Sequence, residues 1–143
     1  DGTQHLDHDT QQNHLAPHTT SDLLFKGALK GKSRSVWQGM IYVAPGAQKT
    51  DGYQANRNLV LSEGARADSI PGLEILADDV RCTHGATVGK LEAEPLFYLK
   101  SRGIPQNEAE KIVVEGFFDP IFQRIPFEGV RERFQQYIAD KMA

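Results

Sequence analysis

The tripeptide x-Gly-Ala recurs as Lys26-Gly27-Ala28, Pro45-Gly46-Ala47, Glu63-Gly64-Ala65 and His84-Gly85-Ala86, at spacings of 19, 18 and 21 residues. Each copy follows a short β-rich run: Leu23-Leu24-Phe25, Ile41-Tyr42-Val43, Leu59-Val60-Leu61 and Val80-Arg81-Cys82. Short strands, each closed by a glycine able to take a turn conformation denied to bulkier residues, point to β structure. A fixed period points further, to a parallel solenoid, in which no coil buries its apolar face alone and stacking creates one core. An antiparallel sandwich with regularly spaced turns uses the same signals and stays open at this point.

Side chains alternate across a strand, so aligning the copies on their glycines sorts core from surface. Three residues before each Gly stand Leu24, Val43, Leu61 and Cys82, an apolar column expected to face the core. One residue before it stand Lys26, Pro45, Glu63 and His84, a column expected at a solvent-facing corner. Cys82 thus reads as a small buried hydrophobe. His84, in a column with no apolar demand, draws the functional suspicion.

After Gly89 the period changes, which divides the chain into residues 1–91, solenoid coils, and 92–143, a small helical domain. Four short helices are expected there. The first covers 95–102 and is stopped by Gly103; the second runs from Pro105 to about Phe118. Asp119-Pro120 reads as an N-cap and first turn of a third, and Pro126 or Phe127 opens the last. A cap of this kind blunts an open β edge. The stretch 115–122 carries three Phe and one Ile, a surplus that makes Phe117, Phe118 and Phe122 candidates for a partner-binding surface, since aromatics dominate interface energetics.

A chain of 143 residues buries roughly 68–70% of its unfolded surface and needs no disulfide staples. Its net charge of -3 gives no general attraction to phosphate backbones or anionic lipid, so neither nucleic acid nor membrane is expected as a partner. The single Cys82 forms no internal disulfide and fits a reducing, intracellular compartment. No apolar run approaches the roughly 18 residues of a spanning helix. The abrupt polar start at Asp1, without Met, reads as a cut from something longer, with targeting information lost.

No complete catalytic constellation is present: no phosphate loop with Lys, no Gly-x-Ser-x-Gly, no His-Glu-x-x-His and no Cys-x-x-Cys. The chain is accordingly read as no enzyme. Cys82-x-His84 supplies one thiol and one imidazole, both ligands for iron or zinc, and half of a site if another chain completes it. His5, His8, His14 and His18 form a second cluster, but Pro17 rules out one helix carrying all four, and a solvated strand is the plainer reading. Asp68, Asp78 and Asp79 support the alternative of a polysaccharide-cleaving β-helix enzyme, although Asp78-Asp79 equally makes a turn.

The segment Cys82-Thr83-His84-Gly85-Ala86-Thr87 resembles the SufB/SufD family of iron-sulfur cluster assembly proteins, in its SufD-like branch. His14-Leu15-Ala16-Pro17-His18-Thr19-Thr20-Ser21, Leu76-Ala77-Asp78-Asp79-Val80 and the stretch 96–104 carry the resemblance through nearly the whole chain. It implies a right-handed parallel β-helix, mainly β with α, followed by a helical C-terminal domain. It also implies a scaffold role in a heterodimer with a SufB-like subunit, docked by a SufC-like ABC ATPase on the C-terminal helices, with apoproteins as acceptors. The cofactor implied is a nascent iron-sulfur cluster or iron, transient and shared with the partner subunit, and none is expected in the isolated fragment. His84, with Cys82 beside it, is implied at the heterodimer interface, and the ATPase gives Phe117, Phe118 and Phe122 a purpose.

Overall fold

The computed structural model describes residues 1–142, in six strands and three helices among those residues. They fall into two compact units, Asp1–Gly89 and a second beginning at Lys90.

The first unit is built from ten-residue strands: β1 His5–His14, β2 Thr20–Leu29, β3 Arg34–Val43, β4 Asp51–Val60, β5 Arg66–Ile75 and β6 Arg81–Lys90. Consecutive strands alternate between two sheets, one ordered β1-β3-β5 and the other β2-β4-β6. The ladders β1–β3, β2–β4 and β3–β5 are parallel, which sets aside the antiparallel sandwich. Partners lie 29 to 32 residues apart, as in His5 with Arg34, Thr20 with Asp51 and Arg34 with Arg66.

The near-twenty-residue period of the x-Gly-Ala tripeptides is therefore not the structural period. Gly27 and Gly85 lie inside β2 and β6, whereas Gly46 and Gly64 lie in the turns after β3 and β4. Strands of one sheet pair two elements apart, and the tripeptide marks unlike places along them. Leu61, expected on the core column, lies just beyond β4 and is half-buried.

Alternation decides what each strand buries. On β3 the inward set is Trp37, Gly39, Ile41 and Val43, all buried, while Arg34 and Gln38 are exposed. Ile41, Val43 and Ala47 form an apolar cluster, with Leu73, Ala77, Val80 and Cys82 packed against it. Burying a side chain such as Ile41 contributes about 1.5–3 kcal/mol. The inward face of β4 is polar instead. Gln54 donates from Nε2 to the carbonyls of Gly72 at 2.9 Å and Gly39 at 3.4 Å, and Asn58 donates to Asn56 Oδ1 at 2.6 Å. These bonds meet the amide donors of the buried side chains, as most buried polar groups require, while Gln54 Oε1 is buried without a partner among the described residues. Phe25 bridges the sheets, with its ring 5.0 Å from His8 and 6.3 Å from Trp37. Gly39 leaves room for the indole, since a Cβ there would stand 2.3 Å from the Trp37 ring.

The second unit holds α1 Ala93–Ser101, α2 Gln106–Phe122 and α3 Glu128–Met142. Gly103 ends α1 as expected, with φ +86 and its N–H on the Lys100 carbonyl at 2.9 Å, the left-handed stop that only glycine takes without strain. The expected break at Asp119-Pro120 does not occur: α2 runs through Pro120 to Phe122. Proline removes one intrahelical bond, but only Ile121 and Phe122 follow it, and Phe122 is buried, which outweighs the loss. Three helices therefore stand where four were expected. No helix among the described residues is long and apolar enough to cross a membrane.

Candidate functional site

The Cys82-x-His84 segment lies at the start of β6, the last strand of its sheet. Its placement is fixed from β4. The Arg81 N–H donates to the Thr50 carbonyl at 2.8 Å, repeating one strand further the Asp51 N–H bond to the Thr19 carbonyl at 2.9 Å. Thr20 pairs with Asp51 in the β2–β4 ladder, so the same step sets Arg81 beside Asp51 and Cys82 beside Gly52. The Arg81 guanidinium spans both carboxylate oxygens of Asp51, and this hydrogen-bonded charge holds the Asp51 carboxyl below its usual 3.8.

The two-residue strand period sends Arg81 and Thr83 to one face of β6 and Cys82 and His84 to the other. Arg81 and Thr83 line a shallow depression with Asp51 and Tyr53. On the opposite face Cys82 is half-buried against the Ile41 cluster, while His84 is exposed. The thiol and imidazole thus share a face, half-covered by the cluster at Cys82 and uncovered at His84. Among the described residues, no group of three or more His, Cys, Asp or Glu side chains is placed to hold a metal ion. This face offers two donors.

The four N-terminal histidines separate. His5 and His18 are exposed, His8 leans on Phe25, and His14 is buried at 4% exposure. The solvated reading does not hold for His14, whose ring nitrogens bond Thr19 Oγ1 at 2.6 Å and Ser21 Oγ at 2.8 Å. Thr19 Oγ1 also reaches the Ala16 carbonyl at 3.2 Å, so both ring nitrogens of His14 are engaged by hydroxyls that the neighbouring loop positions. His14 comes close to Cys82 over Gly52, a neighbourhood the sequence reading missed. The one available signal was His14, Thr19 and Ser21 following each other at a strand end.

Of the aromatic candidates in α2, Phe122 is buried at 4% exposure, and Phe117 and Phe118 are half-buried and meet edge to face at 5.1 Å. The exposed aromatics are Phe97 at 74%, Phe127 at 70%, Tyr98, Phe134 and Tyr137. Asp68 is bonded by the guanidinium groups of Arg66 and Arg34, which lower its carboxyl, and Asp79 pairs with Lys49.

Residues 1–117 match the family model described as SUF system FeS cluster assembly, SufBD core domain. The chain is 40% identical over 119 residues to the iron-sulfur cluster assembly protein SufD of Escherichia coli, covering 83% of this chain and 28% of that protein. It is 38% identical over 141 residues to SufD of Bacillus subtilis, covering 99% of this chain and 32% of that protein. An iron-sulfur cluster assembly SufBD family protein of Mycobacterium tuberculosis is 41% identical over 150 aligned positions, covering 99% and 38%. The chain belongs to the SufB/SufD family of iron-sulfur cluster assembly proteins, and it spans less than two fifths of the length of these relatives.

Proposed function

We propose that the chain is the C-terminal scaffold part of a SufD-like subunit, without catalytic chemistry of its own, which presents His84 to a nascent iron-sulfur cluster shared with a SufB-like partner. The observation that carries this reading is the pairing of an exposed imidazole with a half-buried thiol on one face of the terminal strand β6. Two donors rarely hold iron alone, and thiolate and imidazole are its usual protein ligands. A strand at the end of a sheet leaves that face open to a second subunit able to supply the rest. The cluster is cargo for apoprotein acceptors rather than a resident group.

The alternation of parallel strands between two sheets follows the course of a β-helix, which supports the solenoid reading. Residues 1–91 then make up the last coils and 92–143 the domain on which a SufC-like ABC ATPase docks, in a reducing compartment such as the cytoplasm. The exposed Phe97, Phe127 and Phe134 supply apolar surface for that docking, beside the less accessible Phe117, Phe118 and Phe122. A carbohydrate-cleaving β-helix is less well supported, because such hydrolysis uses two available carboxyl groups and Asp68 and Asp79 are committed to Arg34, Arg66 and Lys49.

The test is anaerobic cluster reconstitution in the three-component complex, wild type against His84→Ala, with assembly checked by size exclusion. Loss of iron-sulfur absorbance with the complex intact supports His84 as a ligand. Full retention reduces the subunit to a structural partner.

A further inference from the structure

Three side chains from three strands converge on the α-carbon of Gly52. A Cβ built there would stand 3.2 Å from Cys82 Sγ on β6, 3.4 Å from Ile41 Cγ2 on β3 and 3.5 Å from His14 Nε2 on β1. The backbone of Gly52 lies in an ordinary strand, outside the left-handed region, so conformation does not require glycine. Space favours it, because the 3.2 Å approach to the Cys82 sulfur is tighter than nine in ten real Cβ contacts, while the approaches to Ile41 and His14 are ordinary van der Waals distances. The volume that a side chain at 52 would fill is taken up by the Cys82 thiol.

The wall opposite the thiol is fixed. His14 is held at both ring nitrogens, by Thr19 Oγ1 and Ser21 Oγ, and Thr19 donates in turn to the Ala16 carbonyl, with Thr50 Oγ1 3.3 Å away. Thr50 donates to the Ala47 carbonyl at 2.9 Å, which brings the network back to the Ile41, Val43 and Ala47 cluster. The imidazole therefore has no freedom to swing aside for a bulkier group at 52.

We infer that Gly52 and His14 are positioning residues for Cys82: together they form a seat that keeps the thiol turned inward and leaves His84 as the donor presented at the surface. This rests on the reading of Cys82 and His84 as the paired donors of the proposed site and divides their roles, with the imidazole offered first and the sulfur withheld. A methyl at 52 would press the sulfur back by a few tenths of an ångström and loosen its seat toward the open end of the sheet.

Because Cys82 is the only cysteine, its alkylation by iodoacetamide reports the thiol alone. At one fixed pH, Gly52→Ala should alkylate several-fold faster than wild type, because the displaced thiol spends more time out of its seat. An unchanged rate in a folded Gly52→Ala protein overturns the seat. If Gly52→Ala does not fold, the contact is tested by chemical denaturation in the Cys82→Ala background. There the same substitution should be tolerated, whereas equal loss in both backgrounds overturns the inference. Neither readout involves a cluster, so failure of the seat leaves the scaffold reading standing, and failure of His84→Ala to affect reconstitution leaves the seat standing.

Discussion

Arg81 and Asp51, neighbours across the β4–β6 boundary, are joined guanidinium to carboxylate, and the Arg81 N–H bonds the Thr50 carbonyl, one residue before the Cys82-x-His84 pair. The pair sits at the end of the sheet, where strand fraying begins, and the Arg81 clamp holds its register. Arg81→Ala should loosen β6 selectively. Backbone amides of β6 should then exchange hydrogen faster by a factor of several, while those of β3 stay as protected as before; uniform loss of protection across both strands would contradict a local clamp.

Acid sensitivity follows from the same carboxylates. Asp51 is lowered chiefly by its hydrogen bond to Arg81, and Asp68 by Arg66 and then Arg34. A carboxyl lowered in the folded state favours folding above its unfolded value of 3.8 and loses that contribution as pH falls through the lower folded value. Urea midpoints should therefore be flat from neutral pH to about 5 with respect to these groups. Below that they should fall, less steeply in an Asp51→Asn, Asp68→Asn double variant.

Gly39→Ala places a methyl 2.3 Å from the Trp37 ring, beside the carbonyl that Gln54 reaches. Over-packing of this kind costs about 1–3 kcal/mol. Trp37 is the only tryptophan, so its emission reports the site directly. A shifted native spectrum together with a lower denaturation midpoint is expected, and an unshifted spectrum would show that the indole does not fill that space.

His14→Phe keeps the bulk of the ring but takes the imidazole partner from Ser21 Oγ and leaves Thr19 Oγ1 with only its contacts to Ala16 and Thr50. Leaving buried polar groups unmet costs about 1–3 kcal/mol. His84→Ala, on an exposed position, should stay within about 0.5 kcal/mol of wild type. Thermal unfolding of the two variants separates a structural histidine from a presented one.

Phe122→Ala should destabilise the helical unit by about 3–5 kcal/mol, because Phe122 is 4% exposed. Phe127→Ala, at 70% exposure, should leave stability unchanged while weakening ATPase pull-down. The opposite pattern would move the docking surface back to the end of α2.

Legibility in the sequence tracked hydrophobicity. β2, β3, β4 and β6 carry apolar runs that mark them, and the histidine segment that became β1 reads as a solvated strand without an apolar face, whereas nothing marks β5. β1 reads His-Leu-Asp-His-Asp-Thr-Gln-Gln-Asn-His, and its inward residues His8, Thr10 and Gln12 are polar, so the two-residue period left no apolar trace. β5 contains Pro71 and Gly72, which argue against a strand. It survives as the last strand of its sheet, where a missing N–H faces no partner. The Cys82 and His84 positions were visible because the motif is contiguous. Gly52 and His14 were not, since their approach to Cys82 depends on three strands meeting, which no local pattern encodes.

Strand stacking also sets what evolution is free to change around His84. Lengthening a turn, such as that at Gly46, leaves the strands' facing untouched. One further strand in each sheet would carry β6 outward by one strand spacing, about 4.8 Å, with its orientation kept. One residue added ahead of Cys82 within β6 would exchange its two faces, taking Cys82 off the Ile41 cluster and carrying His84 to the face that Arg81 and Thr83 now line. Descendants of this chain can grow by loops or by pairs of strands, but not by single steps inside that strand.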